Sequence, residues 1–416
     1  MFVYRDRDLP PDPGFPSDLG KLGYTINDSD QIRQTANPKE GFKYKINRND
    51  RYNIKNREAM NDCIRTIVLQ RLQESGLQIM RLPVGRTAKE PHVPILVSEG
   101  IHHSSRIVAV FGEPIQDLGI WAYRSANTDG INIGSAVNFT KAVLGEGEQK
   151  TGSVLVVGNT GQLLWHCESS SAVTQQSWLA APRPYGTWGQ PTLTWRNKIP
   201  SNNDWSEHVE CVFEHVIRPN LGPKTRVDVI GVSEGGRGAI QYLKKYWHIW
   251  QPYISGICLG DPLQTTYQDL DMGTLADPRS FTSFVSSRCR GYVLSEAPVG
   301  THQSGYRTHG CNCYSSGEAL NSECIIVRAW PDMLKWLDML YKDPEYAEHV
   351  MIHADDMDEE MRKDLDDQVV SSDEEGDTEK SKKDDEAKAD MQEGTEFSHS
   401  QEVTEDDQGN GDADGD

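Results

Sequence analysis

Apolar positions change their period along the chain, and the changes mark out elements. From Asn56 to Ser75 they recur at helical spacing (Met60, Cys63, Ile64, Ile67, Val68, Leu72), and Gly76 stands where a glycine would end the last turn. This predicts an amphipathic helix lying on a sheet. Three unbroken apolar runs follow, in RIVAVFGEP (106–114), GSVLVVGNTG (152–161) and RVDVIGVSEGG (226–236), each closing in a Gly-containing turn. Strands buried on both faces read as continuous runs rather than as alternation, so these are expected to be central parallel strands. A Trp-rich polar insertion, about residues 165–205, separates the second from the third.

Helical spacing returns at 204–219 (Trp205, His208, Val212, Val216), at 237–247 and at 279–288, interleaved with strand-like runs at 253–260 and 291–297. A closing helix is expected from near Pro331, with Leu334, Leu337, Leu340 and Tyr341 as its buried stripe. FKYKI (42–46) is the one alternating, strand-like piece in an opening rich in Pro, Asp and Asn. Strand–helix alternation of this kind predicts an α/β fold with a doubly wound, mostly parallel sheet. The expected organisation is an N-terminal extension over 1–55 packed on the body, a folded body over 56–350, and a tail over 355–416.

Charge sharpens that last boundary. The chain has 416 residues and a formal net charge of −21. Residues 351–416 hold 26 of the 63 acidic side chains and 6 of the 42 basic ones, which leaves the body close to neutral. Beyond Asp355 there is too little apolar surface to offset the entropy of ordering, so the acidic tail is expected to be disordered. Ser371 and Ser372 precede DEEGD there, a setting suited to acid-directed phosphorylation.

A neutral body with an acidic tail lacks the basic stripe of a nucleic-acid binder, although KYKINRNDRYNIKNR (43–57) is locally basic and aromatic. The first residues have no apolar core for a secretory leader, and no run of about 18 apolar residues predicts a membrane span. Eight scattered cysteines fit reduced thiols of the cytosol or nucleus. His309, Cys311 and Cys313, with His302 and Cys324 nearby, have the wrong spacing for a zinc knuckle, so neither a metal nor another cofactor is expected.

The chemistry is concentrated at VIGVSEGGRGAI (229–240). Gly231–Ser233–Gly235 is a G-x-S-x-G between an apolar run and a helical segment, the form of a nucleophile elbow in an α/β-hydrolase-like sheet. If Ser233 attacks, it needs an imidazole to take its proton and an acid to orient that imidazole. In chain order the acid is Asp261 (CLGDP) or Glu296 (VLSEAP), and the base is His309 or His302 in the polar loop GTHQSGYRTHGCNC. Backbone N–H groups of Gly112, in the VFGEP turn, and of Glu234, just after the serine, would hold an oxyanion.

Several segments occur in an order that carries a family resemblance: FPSDLGKLGYTIN (15–27), FKYKINRNDRYN (42–53), RLPVG (81–85), PHVPILVS (91–98), VVGNTGQLLWH, GVSEGG, YVLSEAPVG, CNCYSSGE and DPEYAEH. Over about residues 10–350 the chain resembles fungal, stand-alone members of the Argonaute-binding-protein-two (Arb-two) domain family. The resemblance implies an α/β-hydrolase-like fold and a place in a nuclear Argonaute–small-RNA chaperone complex needed for heterochromatin assembly. Related domains sit at the C-terminus of fungal class II histone deacetylases, where they support dimerisation and chromatin contacts. Two functional readings therefore stand, beside a blander one in which a cytosolic protein kept the fold and lost both roles. One is a non-catalytic adaptor in small-RNA-directed silencing, nuclear or nucleocytoplasmic, which binds an Argonaute or a chromatin or histone protein, meets small RNA through that partner, and forms a homodimer as related domains do. The other is a serine hydrolase of esterase or amidase type with Ser233 as nucleophile.

Overall fold

The computed structural model describes residues 12–145, 151–182, 192–353 and 356. Residues 357–416 of the acidic tail, with its two serines, lie outside the described residues. Nine strands form the central sheet: β1 (Leu77–Leu82), β2 (Val93–Ser98), β3 (Arg106–Phe111), β4 (Ser153–Val157), β5 (Arg226–Val232), β6 (Ile254–Gly260), β7 (Cys289–Val293), β8 (His302–Gln303) and β9 (Asn312–Ser315). Their order across the sheet is β8-β9-β7-β6-β5-β3-β4-β2-β1. The strands from β9 to β4 run parallel, while β1, β2 and β8 run antiparallel to their neighbours. Six principal helices flank it: α1 (Asp50–Glu74), α2 (Val137–Leu144), α3 (Trp205–Val212), α4 (Ser233–Lys245), α5 (Phe281–Arg288) and α6 (Ile325–Lys342).

The period-two alternation of each strand sorts the core into two layers. Val108, Val110, Leu155, Val157, Ile230 and Val232 meet the apolar stripes of α1, α2 and α6 on one face. Ile107, Ala109, Phe111, Val227, Val229 and Leu259 meet α3, α4 and α5 on the other. The result is the expected doubly wound, mostly parallel sheet, and its strand order, with an elbow after β5, is α/β-hydrolase-like.

Local departures from the sequence reading have local causes. The first helix begins at Asp50 because the Asn49 side chain caps it, accepting from the Arg51 amide at 3.0 Å. FKYKI forms no strand. The Lys43 amide donates to the Tyr24 hydroxyl, and those of Ile46 and Asn47 both donate to the Asn53 side chain, which leaves no ladder to build. The run predicted to 297 ends at Val293, and the closing helix starts at Ile325 with Pro331 inside it. The proline ring there replaces a backbone donor instead of starting the helix.

One ion pair crosses the sheet. Arg106 at the start of β3 donates to fully buried Asp228 of β5 at 2.6 Å, and also to Asp338 of α6. Burial pushes the Asp228 carboxyl up to about 6, and the Arg106 guanidinium pulls against that shift. Removing one member leaves the other charge uncompensated. Arg106→Ala is therefore expected to cost about 3–5 kcal/mol in urea unfolding, and adding Asp228→Asn to that variant is expected to recover part of the loss.

Candidate active site

The elbow depends on glycine at points of backbone contact. β5 ends at Val232 and α4 begins at Ser233, with no residue between them. The first turn of the helix must then lie against the strand it leaves. A Cβ at Gly231 would stand 2.2 Å from Gly236 Cα, and one at Gly235 would stand 2.4 Å from the Gly112 carbonyl oxygen. Ser233 itself takes φ +48°, a left-handed conformation that costs a non-glycine residue on the order of 1–3 kcal/mol. This is nucleophile-elbow geometry at the carboxyl edge of the sheet.

The next strand delivers an acid to that serine. Asp261 follows β6 directly, takes φ +50°, and anchors its amide to the Tyr292 carbonyl at 3.0 Å. Ser233 Oγ donates to Asp261 Oδ2 at 3.0 Å. Gly112 and Glu234 stand beside this pair, from the end of β3 and the first turn of α4. Glu296 does not join it: β7 stops at Val293, and Glu296 lies exposed three residues further on.

Neither candidate histidine reaches Ser233. His309 sits on the short helix Tyr306–His309, just before β9. Because β9 is parallel to β7, with Asn312 opposite Arg290 and Ser315 opposite Val293, His309 enters from the amino-terminal side of the strands. Ser233 stands at the opposite edge. His309 Nδ1 instead contacts the Gln264 carbonyl at 3.0 Å. His302 pairs in β8 with Tyr314, and its Nε2 is buried without a hydrogen-bond partner. Where β9 reaches the carboxyl edge the chain continues Ser316–Gly317–Glu318, with no imidazole. Among the described residues no histidine hydrogen-bonds to Ser233, so the base role expected of His309 has no geometric support.

The surrounding charge is acidic. Burial pushes the Glu113 carboxyl above the usual range, and Glu323, Glu234 and Asp261 push the same way against a hydrogen bond from Gln116. Serine is 4% exposed here, with a carboxylate as its sole side-chain partner among the described residues. A carboxylate is a weaker base than an imidazole and a poor acceptor for an alcohol proton. An oxyanion formed beside these carboxylates would be opposed by their field. Among the described residues, the side chain that holds the serine is the Asp261 carboxylate.

The neighbouring motif is consumed by the scaffold as well, a role that sequence reasoning missed. In the turn after β4, Thr160 Oγ1 donates to the Gly112 carbonyl at 2.5 Å. Asn159 Nδ2 reaches the Pro94 carbonyl at 2.9 Å, and Gln162 Nε2 reaches buried Asp117 at 2.8 Å. His208, with no exposed surface, accepts from the Asn159 amide through Nε2 at 2.8 Å and meets Asn202 Oδ1 through Nδ1 at 2.7 Å. Its apolar-face spacing on α3 was visible in the sequence, but its partners are distant along the chain.

Known proteins share this pattern of segments. The model of the Arb2 domain matches residues 15–299. The chain belongs to the Arb2 domain family. Outside the family model, it is 30% identical over 138 residues to a cotranscriptional regulator ARB2A homolog of Xenopus tropicalis, a match covering 32% of each chain. It is 29% identical over 147 residues to the cotranscriptional regulator ARB2A of Homo sapiens, covering 34% of each. The matched part thus spans about a third of the length of these curated relatives. Among solved structures, this Arb2-domain chain is similar to an esterase B from Lactobacillus rhamnosis inhibited by a tributyrin phosphonate, with TM-score 0.29 and 10% identity, over 69% of this chain and 97% of that one. A bacterial heroin esterase matches with TM-score 0.27 and 10% identity, over 68% and 91%.

Two measurements test this account of the site. Gly235→Ala is expected to destabilise the protein by about 1–3 kcal/mol in urea unfolding, since its methyl would meet backbone on β3. For His208, burial lowers the imidazole to about 3, well below its unfolded value. A depressed histidine gives stability that is present above the unfolded value and lost as pH falls below it. Between about pH 6.5 and 3 the unfolded chain binds one more proton at this position, a slope of about 1.4 kcal/mol per pH unit. His208→Gln is expected to unfold with a pH dependence shallower by that amount between pH 6 and 5; an unchanged slope would contradict the assignment.

Proposed function

We infer that this Arb2-domain chain is a non-hydrolytic adaptor in transcription-linked chromatin regulation, acting in the nucleus and binding an Argonaute or a chromatin protein. The observation that carries the non-hydrolytic half is the Ser233 hydroxyl, held by the Asp261 carboxylate at 3.0 Å with no imidazole of the described residues bonded to it. Family membership and relatives described as cotranscriptional regulators support the regulatory half. The near-neutral body favours contact with small RNA through the partner rather than directly. Among the described residues no helix is long and apolar enough to cross a membrane.

A second reading, an esterase or amidase, draws on the strained φ of Ser233 and on the elbow glycines. Such a reaction requires a proton acceptor for the serine, and among the described residues no imidazole is bonded to Ser233.

The test is recovery of partners by tagged chain from cross-linked nuclei. The adaptor reading expects Argonaute or chromatin proteins with the wild type, and about the same recovery with Ser233→Ala. Recovery of neither class, or loss of both in a Ser233→Ala chain that unfolds at the wild-type temperature, would contradict it.

A further inference from the structure

The far edge of the sheet is open and chemically marked. β1 pairs with β2 on one side and, among the described residues, has no strand on the other. Arg81 stands opposite Pro94, which has no N–H, and the Pro94 carbonyl turns the other way, accepting from Asn159 beyond the end of β4. Arg81–Pro94 is therefore a non-hydrogen-bonded pair, and the ladder bonds run through Gln78, Met80 and Leu82. Leu77, Ile79 and Arg81 turn their main-chain N–H and C=O groups outward. No partner for those groups of Ile79 or Arg81 occurs among the described residues.

The side chains of Ile79 and Arg81 face the α1 side, where a cleft of about 330 Å³ opens along the strand. Arg65, Leu69, His92 and Leu118 also line it, and the turn at Ser170–Ala172 bounds it. Its ionic groups differ in commitment. Arg65 is engaged by Glu58, Asp62 and Asp117. Arg81 has no ion-pair or hydrogen-bond partner among the described residues, and neither does exposed Lys89 on the loop that joins β1 to β2. His92 meets the Glu90 carbonyl through Nδ1 at 2.8 Å, and its Nε2 has no hydrogen-bond partner among the described residues. An unpaired guanidinium beside an apolar wall and a free strand edge form one composite surface.

We propose that this edge is a docking site for an extended acidic segment of a partner protein, which adds as a tenth strand beside β1. Main-chain bonds to Ile79 and Arg81 supply the register. Alternate side chains of the incoming strand fall into the cleft, so an apolar residue beside Ile79 and a carboxylate beside Arg81 are two positions apart. Charge complementarity selects the acid: the free cations at this edge are Arg81 and Lys89, while Glu90 is held by Arg86 and Thr87. The site is remote from Ser233 and depends on the adaptor reading only for its biological use.

The test uses the full chain and a fluorescein-labelled peptide, Thr-Val-Thr-Glu-Thr-Val-Thr-Glu, read by fluorescence anisotropy. Binding is expected to weaken at least tenfold when Lys replaces Glu, and also with Arg81→Glu, whose thermal midpoint should match the wild type. Arg81→Glu should bind the Lys peptide better than the wild type does. N-methylation at alternate positions should abolish binding in one parity and spare it in the other, which a merely electrostatic contact would not do. No binding, or binding indifferent to parity and to Arg81, would overturn the proposal. A dimer in sedimentation that Arg81→Glu dissociates, with no peptide binding, would overturn it in favour of a second copy of this chain. Peptide binding without recovery of nuclear partners would count against the adaptor reading alone.

Discussion

The reversal at Ser233 is the constraint on which the rest of the structure depends. A strand that turns into a helix without a linking residue brings two backbones into contact, and that contact excludes side chains at Gly231 and Gly235. Once made, it fixes the first turn of α4 against the end of β3, which in turn sets Gly112, the β4 turn and Asp261 around one point. The remaining contacts at this edge then complete a rigid polar lattice: Thr160 on Gly112, Gln162 on Asp117, and His208 on Asn159. The elbow would be kept by packing alone, because relaxing it would unseat α4 from both of its strands.

That view accounts for a hydrolase-like frame whose serine, among the described residues, has a carboxylate and no imidazole bonded to it. Catalysis needs groups that change protonation or polarise a carbonyl, and these must be near the operating pH and aimed at the reacting atoms. Here the serine bonds directly to a carboxylate, and Glu113, Glu234 and Glu323 add further carboxylates nearby. A buried histidine does exist at this edge, His208, but both its nitrogens are occupied and burial holds it neutral. Its position stabilises the turn, and it offers no free nitrogen to the serine.

Much of the fold was legible because it is written in local patterns. Unbroken apolar runs at β3, β4 and β5 announced strands buried on both faces, and G-x-S-x-G announced the turn after β5. The edges were less legible. β9 is four residues long, β8 is two, and β1 shows no clean alternation, so neither run length nor period separates them from loop. FKYKI misled for the reverse reason: it alternates well, yet its amides are taken by side chains of Tyr24 and Asn53. At the site, Ser233, Asp261, Gly112 and Glu234 could be named from their places just after strands. The fate of His309 could not be, because it turns on the direction in which β9 is entered, a property of the whole sheet.

The central claim is that Ser233 is held but not activated, and one measurement meets it directly. Purified wild-type chain and Ser233→Ala would be treated with a fluorophosphonate and their intact masses compared. Fluorophosphonates modify serines whose proton is drawn off by a neighbouring base, so the account predicts no adduct on folded wild-type protein. A stoichiometric adduct on the wild type that disappears in Ser233→Ala would contradict it, and would require a proton acceptor at the elbow.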